Sequence, residues 1–395
     1  MLFGVAVSSL LAAPLFAADI VALDGGSRFA LPPGWTVDRA KAHVRITAPE
    51  QAASVSFLDL SYGGRFRETA AEAWERVDSG FALKPYQESS PPPADGWEQI
   101  HQIVYNVPAK EARTVVALIR VLRGRAYVSL IDGSTAGLSR RGAQLGSAIE
   151  SWKPDGLKEP DLSGRVPRAW GKAEKRAFEE FVRGAMKDLQ VPGAAVAIVQ
   201  DGRLTYSRGF GVKRLGGAEP VAPDTPFMIG SMTKPLTTLL IARLIEVKKL
   251  SWSTPVGDAL KGFQLGDPDT TRRLEMRHTA CACTGMPRRD FDFIFEYDGV
   301  DPERRLALMK DMKPTTDFGE TFQYSNLLVA AGGYAAARAF NPEGALEPAY
   351  ERAMRTLVFE PLGMRRSVLR AEEALSLGAA LPHGVPVTLK MRTGW

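Results

Sequence analysis

The first part of the chain alternates short apolar runs with amphipathic segments. Period-two alternation predicts strands, and apolar spacing of three to four predicts helices. By these rules we predict strands at "HVRITA", "SVSFLDL", "WEQIHQIVYNV", "TVVALIRVL" and "RAYVSLIDG", and helices at "TAAEAWERV" and "LGSAIESW". This order predicts an antiparallel sheet with helices on one face, so we expect an α+β domain over residues 19–152. His43 and His101 fall in strand pattern and are interpreted as sheet residues rather than ligands, and no catalytic constellation is evident here.

A segment rich in Pro, Gly and Asp follows, at residues 153–171, and its composition predicts a linker. After it, "KAEKRAFEEFVRGAMKDL" predicts a helix and "GAAVAIVQDGRLTYSRGFG" predicts a hairpin that turns at Asp201-Gly202. Asp-Gly is a strong hairpin signal because both residues tolerate the positive φ of a tight turn. A chain of 395 residues also favours two domains, and we place the second at residues 172–395.

Residues 1–18, "MLFGVAVSSLLAAPLFAA", are apolar and end in small residues, which is typical of a secretory signal peptide. No Lys or Arg precedes the apolar run, so an N-terminal membrane anchor or a misplaced start codon stays an alternative. No later stretch approaches the ~18–20 apolar residues of a membrane span. We therefore expect a periplasmic or secreted protein.

Charge and cysteine content exclude several classes of partner. The net charge of +5 comes from 50 basic and 45 acidic residues, and no basic run with interleaved aromatics predicts nucleic-acid binding. The only cysteines, Cys281 and Cys283, stand two residues apart, which is a poor spacing for a bridge between them. We expect two small buried side chains, with a redox role as the alternative, and we expect no metal and no cofactor.

The segment "PFMIGSMTKPLTTLLIARLI", from Pro226 to Ile245, carries the main candidate chemistry. Residues i and i+3 share a helix face, so the amine of Lys234 can reach the hydroxyl of Ser231. A desolvated, partly neutral lysine amine can take the hydroxyl proton and activate the serine as a nucleophile. The apolar run after Pro235 predicts a helix that is buried all round. A capping serine beside an exposed lysine is the alternative interpretation of the same spacing.

A second polar triplet precedes another apolar, Ala-rich helix in "FQYSNLLVAAGGYAAARA". Tyr324 beside a cationic lysine can act as a base, and the amide of Asn326 can hold both lysine and substrate. Two such triplets, each directly before a predicted buried helix, favour a catalytic interpretation over the capping one.

In these segments the chain resembles the serine β-lactamase and penicillin-binding-protein superfamily, nearest to its class C β-lactamase, esterase and D-alanyl-D-alanine carboxypeptidase branch. The resemblance also rests on the hairpin, on "LEMRHTACACTGMPR" and on "VFEPLGMRRS". It implies an α/β domain, an antiparallel sheet with a helical region. It also implies Ser231 as the acylated nucleophile, Lys234 as its base partner, Tyr324 as general acid/base and Asn326 as a substrate-binding amide.

Two further features bear on the resemblance. The opening "FALPPGWTV" makes the first domain similar to a PsbP-like sandwich. His278 lies in the "RH" of the turn; since no G-x-S-x-G elbow accompanies it, we expect a structural histidine rather than a triad base.

The family's third motif, Lys/His-Thr/x-Gly, has no convincing match. Arg392-Thr393-Gly394 has its chemical look, but a single residue follows it. We therefore expect that the β-lactamase-like domain is incomplete, with the chain truncated or frameshifted near Pro386.

Two functions stay open at this point. The first is a serine hydrolase that forms an acyl-enzyme on an amide or ester, with a β-lactam, a D-amino-acid peptide (cell-wall peptide among them) or a simple ester as substrate. The second is a non-catalytic protein that binds such a small molecule or peptide without turnover, because the third motif is missing. A chain that does not fold stably is a third possibility.

Overall fold

The computed structural model describes residues 19–157, 170–289 and 301–380. These residues form two compact units. The first contains the described residues up to 157 together with Cys283–Arg288 and Pro314–Tyr324, and the second contains the rest. The predicted signal peptide, most of the predicted linker and Arg392-Thr393-Gly394 lie outside the described residues. These features stay predictions, as do the domain boundaries and the PsbP-like resemblance.

The first unit is built from two antiparallel sheets. The smaller sheet contains β1 (Ile20–Ala22), β2 (Ser27–Ala30) and β10 (Lys153–Pro154). The strands of the larger sheet are β3 (Thr36–Arg39), β4 (Val44–Thr47), β5 (Ala53–Ser61), β6 (Pro85–Ser89), β7 (Gln99–Tyr105), β8 (Arg113–Leu122) and β9 (Arg125–Ser134). Their order across the sheet is β3-β4-β5-β9-β8-β7-β6. The apolar pattern therefore predicted five of these seven strands and missed β3 and β6.

Helices lie on both faces of the large sheet, so the prediction of helices on one face was wrong. Helix α1 (Phe66–Val77) packs Trp74 into the same core as Leu58 of β5. Helix α2 (Thr135–Ser151) packs into the other core, which contains Phe57. Successive residues of a strand point to opposite faces, so Phe57 and Leu58 mark the two sides. The central strands carry apolar side chains on both faces, and a helix packs against each face.

The second unit combines a β-hairpin with helices. The hairpin pairs β11 (Gly193–Gln200) with β12 (Arg203–Gly211), and its turn has φ of 52° at Asp201 and 71° at Gly202, as predicted. The helices are α3 (Lys172–Asp188), α4 (Thr233–Glu246), α5 (Val256–Ala259), α6 (Pro268–Arg273), α7 (Met276–Cys281), α8 (Pro302–Leu308), α9 (Asn326–Phe340), α10 (Leu346–Met354) and α11 (Ala371–Ser376). The mixed α/β class predicted for this part of the chain is confirmed.

Helix α4 is buried along one face only, which corrects the prediction of a helix buried all round. Thr237, Leu240, Ile241 and Leu244 are buried, whereas Leu239 is 37% exposed. Buried positions at i, i+3, i+4 and i+7 are the stripe of an amphipathic helix. Helix α9 is the one enclosed on nearly every side, because Ala, Leu, Val and Gly fill almost all of its length.

Consecutive glycines in α9 let its neighbours approach closely. A Cβ at Gly332 would lie 2.3 Å from Thr279 Oγ1 of α7, and one at Gly333 would lie 3.3 Å from Thr237 Cγ2 of α4. Glycine inside a helix costs about 1 kcal/mol relative to alanine. The close packing of three helices explains why glycines occupy these positions despite that cost.

A buried hydrogen bond joins α4 to α10. Thr237 Oγ1 and the Tyr350 hydroxyl lie 2.7 Å apart, and burial raises the pKa of Tyr350 to about 12, so the phenol stays protonated. Among the described residues, no helix is long and apolar enough to cross a membrane.

We predict that this bond stabilises the second unit by about 1 kcal/mol, the typical net value of a buried hydrogen bond. The test is a double-mutant cycle of Tyr350→Phe and Thr237→Val, read by denaturant unfolding. Strictly additive losses in the double variant would contradict the assignment.

Candidate active site

Ser231 and Lys234 are in hydrogen-bond contact, as their spacing predicts. Lys234 Nζ donates to Ser231 Oγ over 2.9 Å. Ser231 is exposed in a 3-10 turn, Gly230–Met232, directly before α4, and Lys234 is half-buried in the first turn of that helix. A serine and a potential base within 2.6–3.2 Å have the geometry of an activated nucleophile.

The start of α4 is fixed by its own threonines. Thr237 Oγ1 donates to the carbonyl of Thr233 and Thr238 Oγ1 donates to that of Lys234, each over 3.1 Å. Pro235 is tolerated because it falls in the first turn, where a backbone N–H has no partner within the helix. The backbone that carries Lys234 is therefore held on both sides.

Tyr324 belongs to the first unit, where Arg288 covers its ring. The guanidinium carbon of Arg288 lies 4.8 Å from the ring centroid, which is a cation–π contact. The positive charge faces the ring of a half-buried tyrosine. The spacing of the motifs gave no indication of this arginine.

Gln323, directly before Tyr324, anchors the segment that carries the tyrosine. Its buried amide donates to the carbonyl of Gly285 and to the hydroxyls of Thr315 and Thr316, at 3.0–3.3 Å. Gly285 has φ of +74°, and a Cβ there would lie 2.2 Å from the carbonyl oxygen of Thr316. Only glycine fits this position. The glutamine and the glycine are visible in the sequence, but their pairing depends on long-range folding.

The segment is also held by helix α2 of the first unit. Arg141 Nη1 donates to the carbonyl of Thr315, and its Nη2 forms an ion pair with Glu50 at 2.8 Å. The hydrogen bonds from Arg141 hold the pKa of the Glu50 carboxyl below its usual value, against the effect of burial. Residues of the N-terminal sequence thus hold the stretch that ends in Tyr324.

Ser325 and Asn326 begin α9 in the second unit. Ser325 Oγ accepts a hydrogen bond from the N–H of Leu328 over 3.3 Å, so this serine is the N-cap of the helix. Asn326 is the first helical residue and is half-buried. The structure thus brings Ser231 and Lys234 together, and it places Asn326 on a helix that packs against α4. The complete four-residue site stays a prediction.

His278 caps a helix, as expected of a structural histidine. The backbone N–H of Glu275 donates to His278 Nδ1 over 3.1 Å, and the Glu275 side chain completes a capping box at the start of α7. Burial, and then the nearby Arg277, lower the pKa of His278 from its ordinary value. The neutral imidazole that results is the form that accepts this hydrogen bond.

The expectation for the two cysteines was wrong. Cys281 and Cys283 are disulfide-bonded, and the chain has no other cysteine to pair with either. Ala282 between them has φ of +52°, which turns the chain sharply and brings its neighbours together. Cys281 is also exposed rather than buried. No group of three or more His, Cys, Asp or Glu in the described ranges is arranged to hold a metal ion.

Comparison with known proteins identifies the family. The Beta-lactamase family model matches residues 178–386, a little over half of the chain, so the chain belongs to this family. It is 30% identical over 214 residues to unguisins hydrolase ungD' of Aspergillus campestris, covering 52% of this chain and 39% of the relative. It is 28% identical over 207 residues to penicillin-binding protein 4 of Amycolatopsis lactamdurans, covering 52% of each.

A solved structure, the octameric penicillin-binding protein homologue from Pyrococcus abyssi, is 28% identical. It matches with a TM-score of 0.43 over 51% of this chain and 46% of its own. The chain spans between about two fifths and half of the length of these relatives.

We predict that replacing His278 with glutamine flattens the pH dependence of stability. Because the pKa of His278 is lowered in the folded state, its cap is fully present above the unfolded value of 6.5 and is lost as pH falls through the lowered pKa. Melting temperatures from pH 8 to 5 would show a smaller decline for His278→Gln, because the glutamine amide oxygen can accept the same hydrogen bond at every pH in this range. Parallel curves for the two proteins would contradict this role.

Proposed function

We propose that this protein is a serine hydrolase that forms an acyl-enzyme through Ser231. The observation that carries the proposal is the 2.9 Å contact between Lys234 Nζ and Ser231 Oγ directly before helix α4. Membership of the β-lactamase family supports it, and two relatives carry the names of a hydrolase and a penicillin-binding protein. The family resemblance assigns the same two residues as nucleophile and base.

In the proposed reaction, neutral Lys234 takes the hydroxyl proton while Ser231 Oγ bonds to the carbonyl carbon of an amide or ester. The N-terminus of α4 carries partial positive charge, which stabilises the oxyanion that develops beside it. The C–N or C–O bond then breaks, and the leaving group takes up the proton. Water attacks the acyl-serine in the second half of the reaction and regenerates the hydroxyl.

Tyr324 and Asn326 take the remaining roles in this proposal. Tyr324 relays a proton to the leaving group, and the Asn326 amide holds the substrate or the lysine. The tight hydrogen bonding of Gln323 and the position of Asn326 at the start of α9 support these roles, because a reacting group needs a rigid frame. The substrate is an amide or ester of the β-lactam, D-amino-acid peptide or simple ester type.

Apolar side chains flank the nucleophile. Met228, Ile229 and Met232 are 47%, 48% and 65% exposed, within three residues of Ser231. Exposed apolar side chains that cluster together are a feature of binding surfaces. We infer a substrate with an apolar group next to its carbonyl.

Binding without turnover is the second candidate function, and the exposure of Ser231 favours it. Catalytic serines work in sites that exclude water, where electrostatic stabilisation is strongest. If this hydroxyl stays exposed when ligand binds, acylation is slow and the acyl-enzyme accumulates.

For the cell, we propose export to the periplasm or the medium. The disulfide between Cys281 and Cys283 supports this location, since disulfides persist in oxidising compartments. Cell fractionation of the chain with its native N-terminus tests the proposal, and retention of all protein in the cytosol would reject it.

We predict that a fluorescent penicillin acylates Ser231. Trypsin releases residues 215–243, a peptide in which Ser231 is the only serine, so mass spectrometry locates the adduct. Lys234→Ala should slow acylation by about 10²-fold or more, because the base is lost. The exposed Lys249, which follows the same helix, supplies the control variant Lys249→Ala, which should react at the wild-type rate.

A folded protein with no adduct on this peptide, for penicillin and for p-nitrophenyl esters alike, would refute the hydrolase proposal. An adduct that forms but does not turn over would favour the binding function instead.

A further inference from the structure

A serine, a histidine and a glutamate form a hydrogen-bonded line at the edge of the seven-stranded sheet. Ser90 Oγ lies 2.7 Å from His101 Nδ1, and His101 Nε2 lies 3.1 Å from Glu88 Oε2. All three residues belong to the first unit, outside the β-lactamase-like region. This is the order nucleophile, base and orienting carboxylate that activates serine in hydrolases of unrelated folds.

Strand register explains how the three side chains meet. Glu88 and Ser89 of the edge strand β6 pair with Ile103 and Gln102 of β7, so the next position places Ser90 opposite His101. Residues 88 and 90 share a face because side chains alternate along a strand. The histidine therefore finds the serine directly across the ladder and the glutamate on the diagonal.

Packing fixes the histidine ring. His101 is 7% exposed, and its imidazole stacks on Phe66 of α1 with centroids 4.2 Å apart and planes 4° from parallel. Ser90 is an exposed residue. A buried base beside an exposed nucleophile is the arrangement that a surface acylation site requires.

Charge around Glu88 selects the tautomer of the histidine. Burial alone would raise the pKa of Glu88, but hydrogen bonds from Arg67, at 2.7 Å, and from His101 outweigh it and lower that pKa. The carboxylate is thus ionised and accepts a hydrogen bond from the N–H at His101 Nε2. Nδ1 is left as the acceptor that faces the Ser90 hydroxyl.

We propose that Ser90 is a second nucleophilic serine, which His101 activates and Glu88 orients, and that it accepts acyl groups from small carboxylic esters with good leaving groups. The hydroxyl proton passes to His101 Nδ1 while Ser90 Oγ bonds to the acyl carbon. The ester C–O bond breaks, and the departing oxygen takes the proton from Nδ1. Water, deprotonated by the same nitrogen, then attacks the acyl carbon, the bond from that carbon to Ser90 Oγ breaks, and Nδ1 returns the proton to the serine oxygen.

A purely structural role is the competing interpretation, because a buried imidazole needs hydrogen-bond partners in any case. The two interpretations differ in the reactivity of the hydroxyl. A serine that merely satisfies the ring reacts no faster than its neighbour Ser89, which is also exposed and is the last residue of β6.

The experiment uses full-length protein carrying Ser231→Ala, so that reaction at the first site is absent. Brief exposure to p-nitrophenyl acetate, acid quench and peptide fragmentation should locate the acetyl group on Ser90 and not on Ser89. Initial p-nitrophenol release should fall at least tenfold in Ser90→Ala, and also in Glu88→Gln, which keeps the size of the side chain. Ser89→Ala should match the parent.

Acetylation of Ser90 at the rate of Ser89, or release that Ser90→Ala leaves unchanged, would overturn the proposal. A further variant, His101→Gln, removes the base itself. Thermal unfolding shows whether each variant is folded. If His101→Gln does not fold, the activity of Glu88→Gln decides between the two interpretations. The outcome is independent of the Ser231 proposal, since neither site is needed to read the other.

Discussion

The close packing of α4 against α9 is the constraint on which the candidate active site depends. Ser231 and Lys234 stand at the start of α4 and Asn326 at the start of α9, so their separation is set by how these helices pack. Gly333 lets Thr237 approach α9, and the hydrogen bond between Thr237 and Tyr350 ties the same residue of α4 to α10. Helices that pack this closely leave little room for either helix to move, so the start of each helix is held in place. A rigid frame of this kind is what a nucleophile and its base need.

The two serines show two ways in which secondary structure can bring a base to a hydroxyl. For Ser231 the helix itself does so, since residues three apart face each other whatever surrounds them. For Ser90 the base comes from another strand, and the contact exists only when the register between β6 and β7 is correct. A slip of one residue would turn every side chain of the strand to the opposite face. The first pair is therefore robust to changes elsewhere, and the second depends on the whole sheet.

This difference explains which features could be predicted from the sequence. The contact between Lys234 and Ser231, the Asp201-Gly202 turn and the five predicted strands of the first unit depend on local spacing, and the structure contains all of them. The partners of His101 depend on register, which the alternation of "WEQIHQIVYNV" does not specify. The disulfide depends on the left-handed conformation of Ala282, which an alanine seldom adopts. Which face of α4 is buried depends on the neighbours that cover it. The largely apolar sequence of the helix does not indicate that face.

Residues of the first unit hold the segment that leads to Tyr324. Tyr324 follows a segment in which Gly319 donates to the carbonyl of Cys283 and Thr315 donates to that of Gly285, at 2.7 and 2.8 Å. Arg141 of α2 donates to the carbonyl of Thr315 in the same segment, and it is itself fixed by Glu50. A half-buried arginine that both pairs with a carboxylate and caps a loop carbonyl restrains that loop more strongly than a surface ion pair does. The position of Tyr324 within the first unit therefore depends on residues that are far away in sequence.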